Sequence, residues 1–149
     1  MSKYLFFDID GTLTGPSRKV TLKTVEGIRQ ARKNGHKTFL CTGRAPISIM
    51  KSIRDIGFDG IISSAGGFIS IGDKYIFENS IDQYLLSEVI LLFTNARILF
   101  SLETKDALYQ TPGVQEFFDQ KNSSILKENL ELARFLEERK NEEVRLPVS

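Results

Sequence analysis

Three short apolar runs separated by helix-like segments constrain the fold of this chain more than any other feature. The runs are Tyr4 to Phe7, Thr38 to Cys41 and Gly60 to Ile62, and the residues between them carry apolar side chains at helical spacing. A short, continuous apolar run is typical of a strand buried on both faces of a parallel sheet. The alternation of strand and helix therefore predicts a right-handed, parallel α/β sheet with helices on both faces.

Local sequence signals indicate where these helices begin and end, and the pattern of predicted elements changes after residue 67. Thr21 is a candidate N-cap and Gly35 a candidate end for the first helix, and Pro46 begins a second, short one. After residue 67 the sequence predicts a hairpin turning at Gly72-Asp73, a helix from Asp82 to Ala96, a strand in ILFSLE, and helices in GVQEFFDQ and over residues 123–143. We therefore expect a core over residues 1–80 and a second α+β and helical segment over 81–149.

Charge and cysteine content exclude several classes of partner and compartment. Lys and Arg number 20 against 19 Asp and Glu, with no long block of one sign, so neither a nucleic-acid groove nor a membrane surface is indicated. The N-terminus lacks the pattern of a signal peptide. The single cysteine, Cys41, cannot form an internal disulfide, and its apolar neighbours predict a buried thiol. These features favour a cytoplasmic protein.

The stretch DIDGTLTG places Asp8 and Asp10 where the first strand ends. Side chains at i and i+2 of a strand point the same way, so these two carboxylates are expected to converge beyond the carboxyl edge of the sheet. Such a pair repels itself unless a proton or a cation lies between, and hard oxygen ligands beside a phosphate suit Mg²⁺. Gly11 permits a tight turn, after which successive N–H groups can form an anion nest. The alternative is that the aspartates merely end a strand and begin a turn.

The same stretch resembles the first motif of the haloacid dehalogenase superfamily, DxDGTx(T/V). The resemblance implies a Rossmann-like core and a Mg²⁺-dependent phosphatase. In that family Asp8 would be the nucleophile that forms an aspartyl-phosphate, and Asp10 the general acid and then the general base. Asp8 would also bind Mg²⁺ through its side chain and Asp10 through its main-chain carbonyl. Gly11 and Thr12 would belong to the phosphate-binding loop.

A second motif, FLCTGRAP, resembles the form found in Cof-like, C2-capped phosphatases of that superfamily. The resemblance implies that the Thr42 hydroxyl holds the phosphoryl oxygens and that Gly43 and Arg44 shape the phosphate and substrate pocket. Arg44 has a second interpretation as an ordinary surface charge. The segment after residue 80 would then begin an α+β cap.

The chain departs from the family pattern in three places. Ala65 stands where Cof-like enzymes carry an asparagine, and the Gly72-Asp73 pair is better explained as a hairpin turn than as the metal-binding GDxxxD motif. No lysine and GDxxxD motif follow the cap segment, which predicts either the N-terminal part of a longer protein or a truncated relative. Lys74 or Lys105 could in principle substitute for the lysine from the cap side or a second subunit, but most lysines are simply solvated.

Two functions from different classes follow. The first is a phosphatase acting on a small phosphorylated metabolite, weakened by the absent motifs. The second is a non-catalytic module that keeps the phosphate loop and acts by binding or association. A plain α/β domain with an accidental DxD is the third interpretation. Apolar surface left uncovered by absent core strands predicts self-association into a homo-oligomer.

Overall fold

The structure is a computed structural model that describes residues 1–15, 19–120 and 145–147. The contacts divide the chain into two compact units, Met1–Glu78 and Asn79–Ser149. The predicted boundary at residues 80 and 81 lies within two residues of this division. Each unit is described by itself below.

The first unit contains five strands, two α-helices and two short 3₁₀ turns. In chain order these are β1 (Tyr4–Phe7), α1 (Leu22–Lys33), β2 (Lys37–Cys41), a 3₁₀ turn (Pro46–Ser48), α2 (Lys51–Arg54), β3 (Gly60–Ser63), a 3₁₀ turn (Ser64–Gly66), β4 (Phe68–Ile71) and β5 (Lys74–Glu78). The three predicted strands are therefore confirmed. The hairpin of β4 and β5 turns at Gly72-Asp73, as predicted.

The five strands form one sheet in the order β1-β2-β3-β4-β5. The first three strands are parallel, and β4 and β5 add to the sheet antiparallel. Phe7 lies beside Leu40, and Cys41 lies beside Ile62, so the three parallel strands end together at one edge. This is a Rossmann-like α/β arrangement, and the predicted fold class is confirmed.

The helix ends follow the local sequence signals. The Thr21 side chain accepts a hydrogen bond from the backbone N–H of Thr24, and Gly35, with φ of +83°, follows the end of α1. The short helix predicted from Pro46 is interrupted, because Ile49 and Met50 adopt extended backbone angles between the 3₁₀ turn and α2.

The core of the first unit lies on one face of its sheet. Thr38 and Leu40 of β2 are fully buried, and α1 packs against this strand. The remaining core side chains come from the loop after β1, from α1, from the segment between β2 and β3 and from β4; they are Ile9, Leu13, Ile28, Ala45, Ile49, Met50, Ile53, Ile56 and Phe68.

The other face of the sheet is open at β1 and β2, so burial of β1 on both faces was a wrong prediction. Tyr4 is 68% exposed and Phe6 is 58% exposed. Their rings stack on Phe39, with centroids 6.1 and 5.2 Å apart, and we call these three residues the aromatic stripe. The physical reason is that β1 is an edge strand of the sheet and that alternate residues of a strand face opposite sides.

The second unit begins with an apolar helix and continues into a small sheet. The helix is α3 (Gln83–Asn95), whose first turn is capped by the Asp82 carboxylate. The strands β6 (Ser101–Glu103), β7 (Leu108–Gln110) and β8 (Arg145–Pro147) form a sheet in that order, and a helix covers residues 114–120. The helix predicted over residues 123–143 lies outside the described residues. Within the described ranges, no helix is long and apolar enough to cross a membrane.

Candidate active site

The carboxyl ends of β1, β2 and β3 bring three loops together at one edge of the sheet. Asp8 follows β1, Thr42 follows β2, and Ser64 follows β3. The backbone N–H of Thr42 donates to the carbonyl of Ile62 at 2.9 Å, and that of Ala65 donates to the carbonyl of Thr42 at 3.2 Å. Hydrogen bonds between neighbouring loops therefore fix this edge of the sheet.

The first loop is a compact turn held by its own backbone. The N–H groups of Leu13 and Thr14 donate to the carbonyls of Asp8 and Ile9, at 3.1 and 2.9 Å. The buried Thr14 hydroxyl also donates to the Ile9 carbonyl, at 2.9 Å. The Ile9 side chain is fully buried, and the aspartates on either side of it are exposed. Asp8 and Asp10 are thus both exposed on either side of the buried Ile9, and their convergence on one site stays a prediction.

The predicted anion nest after Gly11 is not formed in this loop. The N–H of Gly11 donates to the Thr14 carbonyl at 3.1 Å, and that of Thr12 donates to the Ile9 carbonyl at 3.4 Å. Together with the bonds of Leu13 and Thr14, these hydrogen bonds engage all four N–H groups within the turn. The prediction that these groups form an anion nest was therefore wrong. Gly11 keeps the predicted role in the tight turn, since its φ is +83°.

The second loop orders Thr42 and leaves one neighbouring N–H group available. Thr42 is buried, and its Oγ1 accepts a hydrogen bond from the backbone N–H of Arg44 at 3.2 Å. The N–H of the exposed Gly43 has no hydrogen-bond acceptor among the described residues. A hydroxyl and a free N–H beside each other suit the oxygens of an anion.

An ion pair joins the first two loops. Nε and Nη2 of Arg44 donate to the two carboxylate oxygens of Asp10, at 2.8 and 2.6 Å. The Arg44 side chain is only 15% exposed, so its interpretation as an ordinary surface charge was wrong. The Asp8 carboxylate, in contrast, makes no hydrogen bond or ion pair with any residue in the described ranges. The site therefore combines one engaged and one available carboxylate.

The third loop carries backbone strain. Ser64 and Ala65 have φ of +49° and +52°, and Gly66 follows with φ of +100°. Left-handed angles at two consecutive residues with side chains are costly, and such strain clusters at functional sites. The Ser64 N–H donates to the Arg44 carbonyl at 2.8 Å, which ties the strained turn to the second loop. Sequence reasoning missed Ser64, whose only signal was its position after β3.

The prediction of a buried Cys41 thiol was wrong, and Lys74 does not lie near the site of its own chain. Cys41 is exposed, because it alternates with the buried Leu40 and so lies on the open face of the sheet. Lys74 begins β5 opposite Ile71, which pairs with Gly60 at the start of β3. This register places Lys74 level with the start of β3, whereas the site loops of the same chain lie at the carboxyl ends of the parallel strands. Lys105 belongs to the second unit.

The donor set at the aspartates fits a hard cation that keeps several waters. The exposed Asp8 carboxylate and the main-chain carbonyl of Asp10 are oxygen ligands, and Mg²⁺ is often held by one or two carboxylates together with phosphate oxygens. In the described part of the chain, no three His, Cys, Asp or Glu side chains cluster as a metal site. Any ion here would therefore depend on water and on the substrate for its other ligands.

Comparison with known proteins agrees with this arrangement. Residues 5–146 match the family model for haloacid dehalogenase-like hydrolases. The chain belongs to this family. Among curated relatives of this haloacid dehalogenase-like chain, Phosphatase YwpJ of Bacillus subtilis is 25% identical over 120 residues, which cover 78% of this chain and 42% of the relative. The phosphoglycolate phosphatase of Methanopyrus kandleri is 32% identical over 77 residues, covering 51% of this chain and 33% of the relative.

Solved structures show the same fold. A haloacid dehalogenase-like hydrolase from B. subtilis matches with a TM-score of 0.78 at 20% identity, over 97% of this chain and 53% of the other. This haloacid dehalogenase-like chain thus spans about half of that structure and less than half of the curated relatives named above. Its membership in the family and its Rossmann-like fold agree with the resemblance inferred from DIDGTLTG and FLCTGRAP.

Proposed function

We propose that the chain carries the nucleophile site of a Mg²⁺-dependent phosphoric monoester hydrolase that acts on a small phosphorylated metabolite through an aspartyl-phosphate. The observation that supports this most is the pair of aspartates. Asp8 is exposed and without a protein partner among the described residues, and Asp10 beside it is held by Arg44. The named phosphatases among the relatives, YwpJ and the phosphoglycolate phosphatase, support the same reaction class.

The proposed reaction has two steps. An oxygen of Asp8 attacks phosphorus, the ester P–O bond breaks, and Asp10 gives its proton to the leaving oxygen. Water then attacks the phosphorus of the aspartyl-phosphate, Asp10 takes the proton of that water, and orthophosphate leaves as the acyl P–O bond breaks. The available Asp8 carboxylate suits the nucleophile, and the fixed Asp10 suits proton transfer at a defined position.

The phosphoryl oxygens would be held by the first two loops. We assign the Thr42 hydroxyl and the Gly43 N–H to these oxygens, with Arg44 at the same pocket. Gly11 and Thr12 would contribute through the shape of the turn and the Thr12 side chain. Asp8 and the Asp10 carbonyl would hold Mg²⁺, which when bound offsets the negative charge of the phosphate beside the carboxylates.

Two observations favour the alternative, a non-catalytic module that binds phosphate or associates with a partner. The N–H groups of Gly11 to Thr14 bond within their own turn, and Lys74 lies at the far edge of the sheet. Little positive charge within the first unit is therefore directed at a phosphate dianion. A module of this kind would bind orthophosphate with Mg²⁺ and show no turnover.

Mg²⁺-dependent release of phosphate from an aryl phosphate separates the two functions. We expect turnover by the wild-type chain, loss of turnover without Mg²⁺, and loss in Asp8→Asn. Asp55→Asn is the matched control, because Asp55 is an exposed surface aspartate of an i, i+4 pair. Equal rates for the wild type and Asp8→Asn would contradict the proposed phosphatase activity. The non-catalytic binding module would then be the remaining function.

We also propose that the chain self-associates through its open sheet face and acts in the cytoplasm. The aromatic stripe supports association, as does the edge of β1 that pairs with no other strand among the described residues, since such edges and apolar faces favour pairing with another chain. The proposal of a cytoplasmic location rests on the composition, with its single cysteine.

A further inference from the structure

The ion pair between Arg44 and Asp10 uses one whole edge of the guanidinium group. Nε and Nη2 each donate to a different oxygen of the same carboxylate, at 2.8 and 2.6 Å. Two parallel charge-assisted hydrogen bonds of this kind fix both the position and the plane of the carboxylate. The two donors best suited to a bidentate anion contact are therefore engaged with Asp10.

Arg44 is itself fixed on the protein at three further points. Its backbone N–H donates to Thr42 Oγ1 at 3.2 Å, and its carbonyl accepts from the N–H of Ser64 at 2.8 Å. The remaining guanidinium nitrogen, Nη1, donates to the carbonyl of Ser48 at 3.3 Å. The second and third loops thus hold the arginine from both its backbone and its side chain.

The two partners differ in exposure, and this difference indicates which residue orients the other. The Arg44 side chain is 15% exposed and the Asp10 side chain is 56% exposed. Arg44 is held by its own hydrogen bonds and is largely buried, so it restrains the exposed Asp10 carboxylate rather than the reverse. A side chain as exposed as that of Asp10 would otherwise sample several rotamers in water.

We propose that Arg44 is a positioning residue that orients Asp10 for proton transfer, rather than a ligand of the phosphoryl group. This inference rests on the proposed function for its catalytic consequence. In the active enzyme, Nε and Nη2 of Arg44 stay bound to the Asp10 carboxylate. Phosphate binding is then left to Thr42 and Gly43. Release of Asp10 to a different position would slow proton transfer without weakening the binding of phosphate.

Lysine and alanine substitutions of Arg44, with the binding constants measured beside kcat, distinguish the two roles of a cation at this position. A phosphate ligand contributes to binding of the dianion, so its loss raises KM and the inhibition constant of orthophosphate, whatever lysine restores. A bidentate orienting group acts through its planar fork, which lysine lacks. Arg44→Lys should therefore resemble Arg44→Ala if Arg44 orients Asp10.

Steady-state kinetics on an aryl phosphate and on an alkyl phosphate test this split. With the alkyl phosphate, whose leaving oxygen needs a proton, we expect kcat to fall by roughly 10²-fold in both Arg44 variants, as misplacement of a catalytic group does. KM and the inhibition constant of orthophosphate should change by less than about threefold. Arg54→Lys and Arg54→Ala, at an exposed arginine of α2, are the matched controls. A rise of more than about threefold in KM and in the orthophosphate constant of either Arg44 variant would overturn the proposal.

A measurement that needs no turnover examines the ion pair directly. In ¹H–¹⁵N spectra of the whole chain, the Nε proton of Arg44 should exchange slowly with water, and Asp10→Ala should raise its exchange rate by at least about tenfold. The Nε proton of Arg32, which binds Asp59, is the internal control. An unchanged Arg44 signal in Asp10→Ala would overturn the proposal. If the wild type shows the pair but no turnover, the proposed function fails while the orientation of Asp10 by Arg44 stands.

Discussion

At the scale of single residues, Asp59 shows how one carboxylate joins two segments of the first unit. It accepts hydrogen bonds from the Thr38 backbone N–H at 2.9 Å and from the Arg32 and Lys37 side chains at 3.1 and 3.2 Å. Burial raises the pKa of the Asp59 carboxyl, but the hydrogen bonds from Thr38, Arg32 and Lys37 outweigh it and hold the pKa well below its usual range. Asp59 therefore links the start of β2 to α1 and to the approach of β3.

Asp59→Asn should lower the free energy of unfolding by roughly 1–3 kcal/mol at pH 7, because a charged hydrogen-bond acceptor is lost. A folded-state pKa below that of the unfolded chain stabilises the protein above about pH 4, and this contribution disappears as the pH falls further. Urea titrations of both proteins between pH 7 and pH 2 measure the difference. It should shrink below about pH 4. Asp55→Asn, at an exposed ion pair, should cost less than about 1 kcal/mol throughout.

A second prediction at this scale concerns the strained turn after β3. Ala65 has φ of +52° and ψ of +33°, a conformation in which a Cβ atom is unfavourable and glycine is not. Ala65→Gly should therefore raise the free energy of unfolding by roughly 0.5–1 kcal/mol. Ala31→Gly within α1 is the matched control and should lower it by a similar amount. Destabilisation by both substitutions would show that Ala65 carries no strain.

At the scale of secondary-structure elements, the approach of β3 to its neighbours depends on Gly60. A Cβ atom at this position would lie 2.6 Å from the Ser70 carbonyl oxygen and 2.9 Å from side-chain atoms of Phe39 and Ile71. The carbonyl belongs to the paired strand β4 and cannot move without breaking the ladder. Gly60 thus permits the close packing of β2, β3 and β4 at the start of β3.

Gly60→Ala should destabilise the first unit by about 1–3 kcal/mol, the usual cost of overpacking. Gly43→Ala is the matched control, because a Cβ atom there meets nothing within 4 Å and the backbone needs no left-handed angle. Chemical denaturation of the two variants gives the comparison. A Gly60→Ala protein as stable as the wild type would contradict the tight packing at β3.

The positions of the helices and strands were largely predictable from the sequence. The burial of their side chains was not. The Thr21 cap, Gly35 and the Gly72-Asp73 turn act through neighbouring residues, so local sequence was sufficient to place α1 and the hairpin. The exposure of Phe6 and Cys41 depends on what packs on a sheet face, which a strand pattern does not encode.

The site was predictable in its position and less so in its contacts. The ends of parallel strands meet at one edge, so Asp8, Asp10 and Thr42 were expected together. The engagement of the turn N–H groups and the pairing of Arg44 with Asp10 depend on three-dimensional loop geometry. A motif identifies such residues without giving their hydrogen-bond partners.

At the scale of the whole molecule, the open sheet face has consequences for association. Tyr4, Phe6 and Phe39 form the aromatic stripe at the β1 edge, and Ile71, on the same face, is 45% exposed. Parallel strands are ordinarily covered on both faces. A second copy of the chain that covered this face would bury the stripe.

Sedimentation equilibrium tests this association. We expect the wild type to show a concentration-dependent rise in mass, and Phe6→Thr to weaken it by at least about tenfold in dissociation constant, since an aromatic anchor is lost. Tyr84→Gln is the control, because Tyr84 is 84% exposed in the second unit. A wild type that is monomeric at all concentrations, or equal effects of the two substitutions, would contradict association through the stripe.

The central claim is that Asp8 is the nucleophile of a phosphoryl-transfer site completed by Asp10 and Thr42. Its most direct test is to incubate the chain with Mg²⁺ and an aryl phosphate, trap acyl phosphates with borohydride and map the modified peptide by mass spectrometry. We predict modification at Asp8, accumulation in Asp10→Asn, where the base for hydrolysis is lost, and none in Asp8→Asn. An aryl leaving group needs no proton, so absence of modification in Asp10→Asn, or modification elsewhere, would contradict the claim.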